Sequence, residues 1–373
     1  NLFNLDINCF APPDMPMDLV PEGRHHPDYL LRHNLYGIRD YGNRMGIPTV
    51  RAEFFFHPDF RGSVVSLGVA FGMMPEERID TPEPEVGDLV KSIGGTTGRD
   101  GILGTNLSSM ASTDKTITVG ATAVQIGNAI EEKRVFDAME ECRQENLYKK
   151  CNDVGGGGYS ASIGELGEEL GVELDLDQVK LKYPGLSARE IILSESQERM
   201  VFAADEKNLE RLGQIFEKHN VEMTVLGRFT GEKKFTLKHK GKVECDLDMD
   251  FLHHGLPKKK LEGSWQPPEA DERKPELPTD WVETYRKVLG HWNVCSVEPI
   301  IRQYDHGVKA INALEPFTGV YHDVLNDGYI ARPIYDKPYG IVAAHSSNPN
   351  ESSPQQAAGY PITDQVLVDL CEG

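Results

Sequence analysis

Asp153 stands directly before Val154 and four consecutive glycines, Gly155 to Gly158. A carboxylate at a strand end, followed by a glycine turn and a helix start, sets one metal ligand beside several free backbone N–H donors. That arrangement suits Mg2+ bridging phosphates. An Asp that only caps the helix expected over Ser160 to Leu170 is the competing account, and these residues alone leave both open. A second glycine-rich stretch runs Gly94-Gly95-Thr96-Thr97-Gly98-Arg99-Asp100-Gly101. Its glycines permit positive φ and close approach of N–H groups to an anion. It lacks the Gly-Lys-Ser/Thr of a P-loop and the strand–helix frame of a dinucleotide fingerprint, so spacing favours a structural turn in which Arg99 and Asp100 pair locally. The third feature is Ser194-Glu195-Ser196-Gln197-Glu198-Arg199-Met200, a polar run between Ile191-Ile192-Leu193 and Val201-Phe202, read here as two buried strand pieces. Polar groups crowded there need partners. Either they satisfy one another or they line a site, and their hydroxyl, amide and carboxylate groups would suit a sugar phosphate or an amide.

The histidines say less. His25-His26 and His253-His254 are adjacent pairs that chelate poorly and read as exposed loop residues. Tyr304-Asp305-His306 has the composition of a catalytic trio, but a helix end capped by a charged His is the plainer expectation.

These features need elements to hold them. Apolar spacing and the Gly46/Pro48 stop predict a helix over Asp28 to Met45, followed by strands over Thr49 to Phe56 and Ser63 to Phe71. Arg78 to Asp88 reads as an acidic linker. A strand over Asp88 to Ile93 enters the glycine-rich stretch, and a charged amphipathic helix covers Ile130 to Glu145. Asp205 is expected to cap a helix whose apolar face carries Leu209, Leu212, Ile215 and Phe216. A hairpin follows, Lys234 to His239 and Lys242 to Leu247 around Lys240-Gly241. After a Pro-rich linker, Pro257 to Pro278, helices are expected over Trp281 to Leu289 and Glu298 to Tyr304. Strands follow at Gly328 to Ile334 and Tyr339 to Ala344, and a last helix at Thr363 to Cys371.

At 373 residues the chain has room for about two domains, and 39% hydrophobic with 26% charged residues suits a globular core. A net charge of −20 argues against a duplex nucleic-acid binder, which would want a basic face. No apolar run approaches the ~20 residues of a membrane span. Six dispersed cysteines without a C-x-x-C pair point to a reducing, cytoplasmic setting, not to a disulfide or zinc scaffold.

Thr97-Gly98-Arg99-Asp100-Gly101, Asp153-Val154-Gly155-Gly156-Gly157-Gly158 and Leu193-Ser194-Glu195-Ser196-Gln197-Glu198-Arg199-Met200, in that order, resemble the synthetase subunit of phosphoribosylformylglycinamidine synthase. This is a ligase of de novo purine biosynthesis within the AIR synthetase-like superfamily. Tyr41-Gly42-Asn43, Gly46-Ile47-Pro48-Thr49-Val50 and Gln303-Tyr304-Asp305-His306 add to the likeness, which covers about Asp28 to Ala344. Related superfamily synthetases share the glycine–Asp loop but usually not the Ser-Glu-Ser-Gln-Glu-Arg string.

The resemblance implies an α+β fold: part of one N-type domain over residues 1–79, a C-type α/β domain over 80–256, a linker with helices over 257–309, and the opening of a second N-type domain over 310–373, its sheet paired with that of the first. It implies that ATP phosphorylates the formamide oxygen of formylglycinamide ribonucleotide. Ammonia supplied from glutamine by a glutaminase subunit or domain then displaces phosphate and leaves an amidine; a small accessory subunit is a further expected partner. Asp153 matches the family's Mg2+ ligand; Gln125, Glu195, Ser196 and Gln197 match substrate-contacting residues. The family's catalytic His, ATP-binding Lys and first metal-binding Glu would precede Asn1, and further ATP- and metal-binding residues would follow Gly373, so residues 1–373 alone are not expected to turn over. Val154, Gly156 and Arg51-Ala52 depart from the family's usual pattern. Another ATP-using synthetase of the superfamily, or a binding scaffold that keeps only the fold, are the competing expectations.

Overall fold

A computed structural model describes residues 1–102, 125–263, 277–326 and 328–344. The chain divides into two compact units: residues 74–260 form one, and residues 1–73 with the described residues from 261 onward form the other.

The second of these opens with β1 (Phe3–Phe10), α1 (Pro27–Met45), β2 (Thr49–Phe56) and β3 (Val65–Phe71). Pro27 sits at the first helical position, His26 accepts from the Asp28 N–H at 3.2 Å, and Gly46 closes the helix at φ 68°. The helical crossover makes β2 parallel to β1, and β3 pairs antiparallel on the other side.

Residues 74–260 contain β4 (Leu89–Gly94), α2 (Ala129–Gln144), β5 (Cys151–Asp153), α3 (Gly158–Leu166), β6 (Val172–Asp175), α4 (Ala188–Leu193), β7 (Arg199–Ala204), α5 (Leu209–Lys218), β8 (Met223–Phe229), β9 (Lys234–His239), β10 (Lys242–Asp248) and α6 (Met249–His254). One seven-stranded sheet runs β10-β9-β6-β8-β4-β7-β5. All its pairings are antiparallel except β6 with β9. Alternation along each strand builds two cores. Val90 and Val201 face a layer with Tyr159, Ile163 and Ile191 from α3 and α4, while Ile93 and Phe202 face Val135, Cys142, Leu212 and Phe216 from α2 and α5. The sheet is therefore sandwiched between helices, the mixed α/β arrangement expected.

The first-described unit resumes with α7 (Trp281–Leu289), α8 (Glu298–Ile301), β11 (Asn312–Leu314), β12 (Phe317–Thr318), β13 (Val324–Leu325), β14 (Gly328–Ala331) and β15 (Ile341–Ala344). Phe10, Leu31, Ala52 and Phe54 share a core with Ile301, Tyr304 and Phe317; Phe3, Leu5 and Val50 share another with Ile311, Tyr329 and Ala343.

Several elements differ from expectation. Ile191 to Leu193 is helical: Ser187 and Glu190 form a reciprocal capping box that starts α4. Asp205 makes no capping bond; it precedes a single 3-10 turn, Glu206–Asn208, and pairs with Lys207 at 3.0 Å. α3 begins two residues early and ends at Leu166, and α8 stops at Ile301. The helix expected over Thr363 to Cys371 lies outside the described residues.

Candidate functional site

The glycine turn after β5 is needed for its shape. Gly157 and Gly158 adopt φ 80° and 61°, and a Cβ on Gly158 would lie 2.3 Å from the Ser194 carbonyl oxygen. A side chain is excluded there by both conformation and contact. The turn ends β5 with Asp153 exposed and starts α3 with Gly157 as its N-cap. Asp153 therefore does not cap α3. A Cβ on Gly155 would come within 3.0 Å of Asp153 Oδ2, so glycine keeps the space beside the carboxylate open.

The polar run 194–198 is folded by one cation. Arg199, 2% exposed, donates to the carbonyls of Ser196 (2.8 Å) and Ser194 (2.6 Å) and to Thr97 Oγ1 (2.8 Å), and lies 4.5 Å over the Tyr159 ring. A buried guanidinium is tolerated because its donors are engaged. Gly94, at φ 91°, lets β4 run against this loop; a Cβ there would sit 2.1 Å from the Glu198 carbonyl oxygen.

The loop brings the expected site residues toward the two glycine turns. Glu195 Oε1 accepts from the Gly157 N–H at 3.1 Å. Ser196 Oγ accepts from the Gly98 N–H at 2.9 Å and donates to Asp100 Oδ2. The Gln197 N–H donates to Gln125 Oε1 at 3.1 Å, closing a separation of 72 residues. Asp153 makes none of these bonds. Its charge is felt at Glu132, whose carboxyl is pushed up by burial first and then by Glu198 and Asp153. Glu195, Ser196, Gln197 and Gln125 form one connected polar edge.

The expected pairing of Arg99 with Asp100 is replaced by two separate pairs. Arg99 bonds Glu190 at 2.6 Å and lies over Tyr183, and Glu190 is held at about 2 by the Ser187 N–H, Arg99 and the Ser187 hydroxyl. Asp100 bonds Lys182 at 2.6 Å. Burial works against its charged form, but hydrogen bonds from Lys182 and Ser196 outweigh that and hold its carboxyl below the ordinary value. Lys182, Arg199's grip on the loop and Glu132 were not anticipated as site features. A lone Lys in Lys180-Leu181-Lys182 carries no local signal, since its partners lie 57 and 82 positions away.

The histidines do not supply a centre. His26 caps α1 and bonds the Met15 carbonyl at 2.8 Å, so it is not a loose loop residue. Tyr304 donates to Asp6 at 3.4 Å, the Asp305 N–H donates to Asn43, and His306 packs 5.6 Å from Phe317. These three side chains do not form a trio. Burial favours the neutral His306 ring over the cation expected at the helix end. Among the described residues, no group of three or more His, Cys, Asp or Glu side chains could hold a metal ion, and no helix is long and apolar enough to cross a membrane.

Residues 85–240 match the family described as AIR synthase related protein, C-terminal domain. The phosphoribosylformylglycinamidine synthase subunit PurL of Ignicoccus hospitalis is 36% identical over 320 residues, covering 84% of this chain and 43% of that protein. The Thermoplasma acidophilum protein of the same description is 32% identical over 346 residues, covering 92% and 45%. Among solved structures, PurLQS from Thermotoga maritima superposes with a TM-score of 0.61 at 20% identity over 88% of this chain and 47% of that one. T. maritima PurL complexed with FGAR gives 0.59 at 21% identity, covering 88% and 50%. The chain spans less than half the length of these two sequence relatives. Identity of 30–36% across most of this chain, together with the AIR synthase-related match, carries the assignment, and the chain belongs to the PurL family of phosphoribosylformylglycinamidine synthase subunits.

Proposed function

We propose that these residues form part of the site at which ATP drives amidation of formylglycinamide ribonucleotide to the amidine. ATP would transfer a phosphoryl group to the formamide oxygen; ammonia would then attack the carbon and phosphate would leave. The observation that carries the reading is the meeting of Gln125 with Gln197 beside Glu195 and Ser196, on the polar edge bounded by both glycine turns. Such an edge offers amide, hydroxyl and carboxylate groups to a ribonucleotide, and a buried polar contact discriminates strongly against ligands lacking its partner. T. maritima PurL has been solved with FGAR, ADP, ATP and AMPPCP, which favours the same two substrates here.

Asp153 would provide one oxygen ligand for Mg2+. Its exposed carboxylate and the negative charge it shares with Glu132 and Glu198 fit a cation. With no closed set of protein ligands among the described residues, phosphate oxygens and water would complete the shell, which is how Mg2+ is usually held. Bound there, Mg2+ would neutralise phosphate charge during phosphoryl transfer. The glutaminase subunit or domain, a small accessory subunit and a cytoplasmic setting belong to this same reading.

The test is Asp153→Asn in the protein that carries these residues, assayed for phosphate release with ATP, ammonium and formylglycinamide ribonucleotide. Turnover is expected to fall at least ~100-fold, about 3 kcal/mol of transition-state stabilisation, with far-UV circular dichroism unchanged. Unaltered turnover at ordinary magnesium would overturn the Asp153 assignment. A wild type that never consumes the ribonucleotide would overturn the reaction.

A further inference from the structure

Gln125 receives two donors on one oxygen. The Gln197 backbone N–H reaches its Oε1 at 3.1 Å, and Lys182 Nζ reaches the same atom at 2.8 Å. Neither donor can accept, so the amide can face them only with its oxygen. Its Nε2 donates to nothing among the described residues. Lys182 is itself tethered, because Nζ also donates to Asp100 Oδ2 at 2.6 Å and its backbone N–H donates to the Thr97 carbonyl at 2.9 Å. Asp100 is tied in turn to Ser196 Oγ. A chain of bonds thus runs from the Gly94–Gly101 stretch through Lys182 to Gln125, with the Lys182 side chain 27% exposed.

We propose that Lys182, anchored by Asp100, is a positioning residue that locks the orientation of the Gln125 side chain so that its NH2 group is presented to an acceptor oxygen of the ligand. The inference rests on the functional reading above in taking that oxygen to belong to the formamide-bearing ribonucleotide. The lock itself is independent of that identification. Without the ammonium, Oε1 keeps one donor and the amide can turn, presenting oxygen and NH2 to the ligand by turns. Lys182 is otherwise placed like a surface residue, and a lysine whose only duty was the ion pair with Asp100 would not need to reach a second residue's amide oxygen.

Three variants separate the outcomes: Lys182→Met, Lys182→Arg and Gln125→Glu. A carboxylate in place of the amide could still accept from both donors but has no NH2 to give, so Gln125→Glu should raise KM for the formamide substrate about tenfold. Lys182→Met should raise that KM by a similar factor, with KM for ATP unchanged. Lys182→Arg should restore it to within about threefold, and the double variant Lys182→Met/Gln125→Glu should be no worse than either single change, because both remove the same presented group. A purely structural Lys182 would lower the urea midpoint and leave the two KM values in their wild-type ratio, and that result overturns the proposal. A double-mutant cycle on urea stability between Lys182→Met and Gln125→Ala reads the lock without any substrate. Additive effects there also overturn the proposal. Measurable coupling in a wild type that does not consume the ribonucleotide supports the lock and removes the functional reading instead.

Discussion

Asp6 and Lys91, one from each unit, are buried ionisable groups in the middle of a strand, and the two are treated oppositely. Asp6 of β1 is 4% exposed and keeps company: Asn8 Nδ2 donates to it at 3.3 Å and Tyr304 at 3.4 Å. Lys91 of β4 is fully buried, and among the described residues its Nζ has no hydrogen-bond partner. Burial pushes Asp6 up to about 6 against these two bonds, and pushes Lys91 down to about 8 with only the charge of Glu206 opposing. Arg199, in the same sheet as Lys91, is equally hidden yet engaged at every side. The contrast teaches that hiding a charge is not in itself evidence of a task. Arg199 organises the polar loop, Asp6 joins a polar ladder with Asn8, Asn34 and Ser66, and Lys91 Nζ is left without a hydrogen-bond partner among the described residues.

Two glycines, one from each unit, differ in how closely neighbouring backbone approaches them, which gives the largest expected effect. Gly158→Ala should destabilise residues 74–260 by about 3 kcal/mol, since the new methyl meets the Ser194 carbonyl at positive φ. Gly68→Ala on β3, where a Cβ would meet nothing within 4 Å, should shift stability by less than about 0.5 kcal/mol. Urea midpoints measure both, and equal shifts would erase the distinction. Lys91→Met should stabilise by about 2 kcal/mol near neutral pH, within a ceiling of about 3 kcal/mol from the displacement of its pKa. In the native state the amine releases its proton near 8, while the unfolded chain holds it to 10.5, so wild-type stability should rise with pH across that window. The Met variant should lose this rise, and an unchanged slope would mean that Lys91 finds a partner. Asp6→Asn should stabilise by less than Lys91→Met does, about 1 kcal/mol at pH 7, because Asn8 and Tyr304 already offset part of the burial. Here the native carboxyl keeps its proton longer than the unfolded one, so the wild type loses stability as pH rises from 3.8 to about 6. Denaturation of the variant at pH 4 and 7 should show that loss removed; a steeper loss would reverse the sign.

Much of the framework was legible because its signals are local. Helix α1 is framed by Pro27 and Gly46, β2 matches the expected bounds, and the Lys240-Gly241 turn fixes its hairpin. α4 was misread because Ile191-Ile192-Leu193 is too short for its period to show, although Ser187 and Glu190 carried the overlooked start signal. The site was legible as three separate strings and not as an assembly. Nothing local ties Gln125 to Gln197 or Lys182 to Asp100; β4 and β6 run the same way and β7 the opposite way, so the chain after Gly94, the chain after Asp175 and the loop before Arg199 come to one end of the sheet. The resemblance named Gln125, and no pattern named Lys182.

The place of β4 in its sheet has a consequence in time. Its two neighbours, β7 and β8, begin at Arg199 and Met223, the nearer about 100 residues after Gly94. At elongation rates of ~5–20 residues per second, this strand emerges from the ribosome roughly 5–20 s before either of these two neighbours. For that interval the nascent unit displays the centre of its future sheet as an open edge. Yield on expression should therefore respond to temperature and chaperone supply through β4, before any part of the polar loop has been made.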